Sequence, residues 1–321
     1  MNAKKTAAKR QTLERYHNRG RRILQQWQLH LLILLPLAYI IIFHYGPIYG
    51  AQIAFRQYSP RKGITGSDWV GLKWFKKFLS SYNFRQILRN TIVLSMYQIL
   101  AGFPVPVIFA LFLNACRSDR LKRTVQTITY MPHFISMVVI VSIVNMVFSP
   151  IIGVYSYVYH WLGGKGYPED IRGLQETFRH FYVWSGIWQN LGWDTIIYTA
   201  ALASVSPDLH EAAMLDGASR LKRIFHVDLP TILPTIGIML IMRCGHVMSI
   251  GFEKVYLMQS TLNLPTSEVI STHVYKVGMG NTSDMSYAAA VGLFNSVVNC
   301  LMLIFVNWLS KRISHKEVSL Y

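Results

Sequence analysis

The sequence predicts an all-α polytopic membrane protein with about six transmembrane helices, and three observations carry that prediction. Apolar runs near twenty residues recur along the 321-residue chain, the length a helix needs to cross a hydrocarbon core of roughly 30 Å. Only 15% of the residues are charged and 52% are hydrophobic, against the roughly 25% charged that is usual in soluble domains. The basic residues largely flank the apolar runs, the arrangement that sets orientation across a bilayer. The net charge of +17 therefore reads as membrane topology, and a nucleic-acid partner is not expected. Cys116, Cys244 and Cys300 lie scattered in or beside apolar runs with no CxxC or Cys/His spacing. Neither a disulfide framework nor a metal site is implied.

The elements follow in order. Residues 1–28 form a basic arm with Lys4, Lys5, Lys9, Arg10, Arg15, Arg19, Arg21 and Arg22, placed at the cytoplasmic surface. The arm is long for a signal-peptide n-region and no small-residue cleavage site follows the first apolar run. Leu29 to about Ala54 is therefore a retained first span, which tolerates Pro36 and Gly46-Pro47 inside a bundle. In residues 55–89, Trp69, Trp74, Phe75 and Phe78 interleave with Lys73, Lys76 and Lys77, a pattern that suits an interfacial amphipathic helix. Further spans read as 91–115, 126–149, 181–204, 232–252 and 287–309. Gly163-Gly164-Lys165-Gly166-Tyr167-Pro168 and Gly278-Met279-Gly280-Asn281 are turn-rich connections on the outer face. The chain is one transmembrane domain, 29–310, with an inner loop at 205–231 and a tail at 311–321.

Six spans put both termini on one side. Lys and Arg in the arm, in Arg117–Arg123, in Arg220–Arg223 and in the tail outnumber those of the outer segments, so both termini are placed in the cytoplasm. The first outer segment, itself basic, works against that bias.

No GxxxxGK[ST] phosphate loop is present, so the chain is not expected to hydrolyse ATP. HExxH, GxSxG and histidine metal spacings are missing as well, and Asn281-Thr282-Ser283 matches a glycosylation acceptor only as short motifs do by chance. The inner loop is different. Ser206-Pro207-Asp208 is a helix start, with a capping hydroxyl, a proline in the first turn and an acid at the positive end of the dipole. Glu211-Ala212-Ala213 continues with small side chains, Asp216-Gly217-Ala218 follows with a glycine that permits a tight bend, and Arg220, Lys222 and Arg223 lie on a second helical stretch. Leu229-Pro230 marks the return to the membrane. A rigid helical loop at a membrane surface is shaped to fit a groove in another protein.

The spacing of Glu211-Ala212-Ala213, Gly217 and Leu229-Pro230 resembles the EAA loop of permease subunits in binding-protein-dependent, type I ABC importers. Val227 departs slightly from that pattern, where isoleucine is frequent. Tyr49-Gly50-Ala51-Gln52-Ile53-Ala54-Phe55 with Trp69-Val70-Gly71-Leu72, and Tyr130-Met131-Pro132-His133-Phe134-Ile135-Ser136, are similar to the carbohydrate-uptake branch. Within it they match the subgroup that imports oligosaccharides and polysaccharide fragments, alginate importers included. The resemblance implies a type I permease fold in a bacterial inner membrane, paired with a second, similar permease and served by an extracytoplasmic solute-binding protein. It further implies two ATPase subunits that hold ATP and Mg, no cofactor on this chain, and contact with the ATPase through Glu211, Ala212, Ala213, Asp216, Gly217, Ala218, Leu229 and Pro230.

Polar residues within the spans are candidates for a translocation path: Gln98, Asn145, Trp193, Asp194, Arg243, His246, Asn295 and Asn299. An ionisable group mid-span costs about 2.5–3.5 kcal/mol on insertion scales, so these groups should face the bundle interior or water. Asn295 and Asn299 fit interhelical hydrogen bonds better, each worth about 0.6 kcal/mol. Asp194 and Arg243 suit either the path or an ion pair with one another. The rival reading, a secondary transporter driven by an ion gradient, calls for a midplane ion site and often repeated halves. No repeat is visible, and that reading leaves the inner loop unexplained. The outer segments carry more Lys and Arg than acidic residues, among the latter Asp68, Glu169, Asp170, Glu176, Glu253, Glu268 and Asp284. That excess suits an acidic oligosaccharide such as a polyuronate, with a neutral oligosaccharide as the alternative.

Overall fold

The computed structural model describes residues 26–280 and 284–313. Most of the basic arm, Asn281-Thr282-Ser283 and the tail from residue 314 lie outside the described residues. The chain forms two compact units, Met1–Val70 and Gly71–Tyr321.

In the first unit, α1 (Trp27–Phe55) is a helical run of 29 residues with a π-helical turn at Ile41–Tyr45 and a 3₁₀ end at Ala51–Phe55. Leu32, Leu35, Phe43 and Ile48 are all exposed; a helix apolar on every face belongs in lipid or in a large core. After it, β1 (Arg56–Ser59) pairs antiparallel with β2 (Ser67–Trp69), Arg56 opposite Trp69. Phe55 stacks on Trp69 at 5.6 Å, and the Arg56 guanidinium sits 5.5 Å from the Trp69 ring. A hairpin thus replaces the start of the expected amphipathic helix. Pro60 interrupts any helix, and Gly63, at φ +68°, takes a left-handed conformation that turns the chain back.

In the second unit, the helical part of the 55–89 segment is α2 (Lys73–Leu79), which buries Trp74 and Phe78. Phe78 packs edge-to-face on Phe84 and Phe294, at 5.0 and 5.5 Å. The aromatic face therefore meets protein rather than the membrane interface. Next come α3 (Phe84–Gly102) and α4 (Pro104–Asn114), joined at Phe103. Then α5 (Asp119–Tyr130) is capped by Ser118, whose Oγ accepts from Leu121 N. A 3₁₀ turn at Met131–Phe134 leads to α6 (Met137–Val147), capped by Ser136. The two helical pieces meet at 104°, so the expected span 126–149 is sharply broken. Pro132 and the extended Ile135 and Ser136 interrupt the helix there.

The short α7 (Val154–Trp161) precedes α8 (Gln175–Ala203), whose 29 residues reach about 43 Å at 1.5 Å per residue. The 205–231 loop supplies α9 (Pro207–Leu215) and α10 (Arg220–Arg223). A π-helical turn at Ile224–Asp228 runs into α11 (Leu229–Gly245). The last elements are α12 (Phe252–Met258), α13 (Leu264–Ser267), α14 (Ile270–Met279) and α15 (Met285–Ile313). Among the described residues, four helical runs are long and apolar enough to cross a membrane: Trp27–Phe55, Phe84–Asn114, Arg220–Gly245 and Met285–Trp308. The bent pair Asp119–Phe134 and Met137–Val147 makes a fifth if counted as one span. The long α8 has the reach to cross, but Gln189, Asn190 and Asp194 dilute its apolar character.

That helix organises both cores of the second unit. Toward its C-terminus, Tyr198 and Leu202 pack with Val107, Ala110 and Leu111 of α4 and with Ile224 and Ile232. Toward its N-terminus, Phe178, Tyr182 and Val183 pack with Leu94, Ile250, Val255 and Val269. Between the two, Gly192 lets α8 touch the α5 backbone: a Cβ there would fall 2.4 Å from the Thr129 carbonyl oxygen. Outside the spans, His273 Nδ1 donates to Glu268 Oε1 over 3.4 Å, and Lys276 Nζ lies 3.9 Å from the same oxygen. The His273 hydrogen bond, and after it the Lys276 charge, hold the Glu268 carboxyl below the usual carboxylate range against desolvation.

Two outcomes follow. Gly192→Ala should destabilise the purified chain by about 1–3 kcal/mol, the usual cost of overpacking, read as a fall in Tm in detergent. Because the folded pKa of Glu268 is depressed, its contribution is present above the ordinary carboxylate range and lost as pH falls through the lowered value. Glu268→Gln should therefore flatten the acid limb of Tm against pH; an unchanged limb would remove Glu268 as its source.

Candidate functional site

Two places gather the polar residues, the 205–231 loop and a cleft beside the end of α11. In the loop, Ser206 caps α9, its Oγ accepting from Asp208 N at 3.3 Å. The helix ends in a Schellman turn: Ala218 N donates to Ala213 O at 2.9 Å and Gly217 N to Met214 O at 3.0 Å. Gly217 takes φ +72°, the left-handed conformation that a side chain disfavours. Ser219 then caps α10, accepting from Lys222 N. The two caps and the Schellman turn close these helix ends locally, giving a capped helix–turn–helix. Glu211, Ala212, Asp216, Gly217 and Pro230 are exposed, and Ala213, Ala218 and Leu229 are half-buried. Leu215 stands 89% exposed, an apolar group displayed on a polar loop.

The loop is pinned from below by residues that sequence reasoning did not single out. His210 Nε2 of α9 donates to Asp228 Oδ1 at 3.2 Å, and Asn114 Nδ2, the last residue of α4, donates to the same oxygen at 3.2 Å. The Asp228 side chain is 3% exposed, so it ties α9 and α4 to the base of α11. Nothing in local spacing reports this node, since Asn114 and Asp228 lie 114 residues apart.

In the last turn of α11, and not mid-span as the expected 232–252 boundaries imply, Arg243 Nη2 donates to Asp194 Oδ2 of α8 in a half-buried ion pair. Arg243 also lines a cleft of about 290 Å³ together with Gln98, Ser95, His246 and Ser249. The fifth span, expected over 232–252, is helical over Leu229–Gly245. His246 is its C-terminal cap residue, with Nδ1 3.0 Å from Met242 O. The helix stops there because Asn299 of α15 captures the chain: its Oδ1 accepts from Met248 N at 2.9 Å and its Nδ2 donates to Ser249 Oγ at 2.8 Å.

Other expected path residues do not join this cleft. Trp193 stacks on His133 with ring centroids 4.3 Å apart and planes 3° from parallel, and His133 Nδ1 meets Asn190 Oδ1 at 3.0 Å. Gln189 Nε2 donates to Ile135 O at 3.2 Å. These contacts lock the α5–α6 bend to α8. Asn145 is exposed, its carbonyl accepting from Arg172 Nη1 at 3.2 Å. Asn295 Oδ1 is buried without a partner among the described residues. No group of three or more potential metal ligands occurs among the described residues.

A bundle of long apolar helices, a half-buried polar cleft within it and a capped helical loop displayed at one end define a membrane permease. Residues 102–315 match the family described as binding-protein-dependent transport system inner membrane component. The chain belongs to that family: it is a permease subunit of an ABC importer, a multi-pass membrane protein of its sugar-transport branch. It is 41% identical over 286 residues to the protein LplB of Bacillus subtilis, covering 88% of each chain. It is 38% identical over 299 residues to the polygalacturonan/rhamnogalacturonan transport system permease protein YteP of the same organism, covering 92% of each. Among solved structures, a chain of a bacterial alginate ABC transporter in complex with an alginate pentasaccharide-bound periplasmic protein superposes with a TM-score of 0.82. There the identity is 36%, with 92% of this chain and 97% of that chain covered.

Asp228→Ala should cost about 1–3 kcal/mol by leaving the His210 and Asn114 donors unsatisfied. Its combination with His210→Ala should be less than additive, since both remove one interaction. Thermal unfolding of the three variants measures both; full additivity would show that the two side chains are uncoupled.

Proposed function

We propose that this subunit docks on a separate ATPase through the 205–231 loop, with Glu211 and Gly217 as the principal contacts, and passes oligosaccharide along the cleft lined by Gln98, Arg243 and His246. The observation that carries the docking is the capped loop itself. Its caps and Schellman turn leave Glu211, Asp216, Gly217 and Leu215 facing outward, while His210 faces in and anchors it. A helix presenting small and apolar residues beside a carboxylate suits a groove on a partner. The loop lies between α8 and α11, the two helices joined by the Asp194–Arg243 pair, so a displacement of the loop would be carried rigidly to the cleft.

The remaining parts of the assembly follow the family pattern. This chain is the non-catalytic subunit, with ATP and Mg held by two ATPase partners. It pairs with a second permease, receives solute from an extracytoplasmic binding protein and sits in a bacterial inner membrane with both termini in the cytoplasm. For the solute, an acidic oligosaccharide of the alginate type is favoured over a neutral one. Arg243 and His246 place cationic or hydrogen-donating groups on the cleft wall, and the outer segments are net basic. The alginate transporter that this chain resembles in structure handles such a solute.

In proteoliposomes holding the complete complex, Glu211→Lys and Gly217→Asp should each abolish ATP-driven uptake while the subunit still inserts and assembles with its partner permease. Undiminished uptake in both variants would remove the docking assignment. Uptake of alginate oligosaccharides should exceed that of malto-oligosaccharides of equal length, and the reverse order would overturn the solute class.

A further inference from the structure

Beneath the loop lies a second cleft, separate from the one beside the end of α11, with a volume of about 390 Å³. Its walls carry Arg117, from the segment after α4, together with Arg220 and Arg223 of α10 and His210 of α9. Two segments far apart in sequence thus bring three guanidinium groups to one cavity. None of the three makes a salt bridge or a side-chain hydrogen bond to a described residue; Arg117 and Arg220 are exposed, and Arg223 is half-buried, its charge acting on Asp228 while its Nε is buried with no partner. The one carboxylate in the lining, Asp228, already accepts from His210 and Asn114. Glu211 and Asp216, the nearby acids of the loop, do not line the cavity. Three arginines beside one carboxylate that is already hydrogen-bonded give the cavity an excess of positive charge, and guanidinium matches phosphate oxygens bidentately.

We propose that this cleft binds a phosphate-bearing anion, either the headgroup of an anionic phospholipid or free phosphate. Ile224 in the same lining belongs to the apolar core that continues into α11. The arginines therefore sit where the chain passes from polar loop to apolar span, the depth at which a phosphodiester lies. The lining leaves out Glu211, Leu215 and Gly217, the exposed residues of the loop, so an anion there would brace the docking loop from a different set of side chains. The proposal rests on the reading of this loop as cytoplasmic only for the leaflet that supplies the lipid; the cleft chemistry stands without it.

Cys116 lines the same cavity and is a free thiol, which provides a local reporter. In a Cys244→Ser, Cys300→Ser background, the full chain is placed in nanodiscs of phosphatidylcholine, with or without phosphatidylglycerol, and the rate of maleimide labelling at Cys116 is measured. Inorganic phosphate is added to the phosphatidylcholine discs against chloride at matched ionic strength. Labelling should slow severalfold with at least one probe. Slowing in phosphatidylglycerol alone identifies a lipid headgroup, and slowing by phosphate in phosphatidylcholine identifies a free anion. Arg220→Gln with Arg223→Gln should abolish the protection, while Arg220→Lys with Arg223→Lys retains part of it. The unprotected labelling rate of each variant serves as the folding control. Equal rates with and without both probes, or protection that survives the glutamine variants, would overturn the site. Protection by the ATPase subunit but by neither anion would overturn it too, making the arginines protein contacts. Labelling of Cys116 by an impermeant maleimide from outside intact cells would refute the topology while leaving the nanodisc result to decide the site.

Discussion

The Arg243–Asp194 pair is the interaction on which the rest of the second unit depends. Each charge alone would be costly within a span, and removing one partner of such a pair strands the other, which is more damaging than replacing both. The pair therefore holds α8 and α11 in one arrangement. Those two helices carry nearly everything else: α8 nucleates both apolar cores, and α11 returns from the 205–231 loop and contributes to the wall of the polar cleft. The pair is only half-buried, and its Arg243 lines that cleft while Asp194 does not.

At the end of the same two helices, Asp228 repeats the device on a smaller scale. A nearly inaccessible carboxylate accepts from His210 and Asn114 and so fixes α9, α4 and the start of α11 together. In the loop above it, the serine caps and the Gly217 bend close the helix ends locally. A loop built in this way transmits displacement rather than absorbing it, the property that a mechanical contact needs. A second irregular point is the break between α5 and α6, where Pro132 and extended residues interrupt the helix. There, His133 stacked on Trp193 and Gln189 bonded to Ile135 tie the bend to α8.

Much of this was legible in the chain. The apolar runs announced the bundle, Ser206-Pro207-Asp208 announced the start of α9, and Gly217 announced a tight bend, which the structure makes in the left-handed conformation, because caps and turns are short-range events. The hairpin at Arg56–Trp69 was not legible, since its aromatic and basic residues also satisfy a helical pattern and only pairing across the turn selects the strand. The 104° break hid inside a continuous hydropathy signal, which reports burial from water and not direction. Asn299 lay among the asparagines assigned to interhelical bonding, yet its capture of Met248 and Ser249, which ends α11 early, could not be read from α11 itself.

By itself the sequence determined the class of protein, the order of its apolar segments and the loop that marks its family. Each of these depends on residues near one another along the chain, where composition, period and capping act. Tertiary structure alone decided which polar groups meet: that Asp194 pairs with Arg243, that Asp228 anchors His210, that Trp193 turns to His133 and leaves the cleft, and that three arginines converge beneath the loop. These are contacts across tens to more than a hundred residues. They are set by how helices pack and by the requirement that buried charge find a partner, and no local pattern encodes which partner that will be.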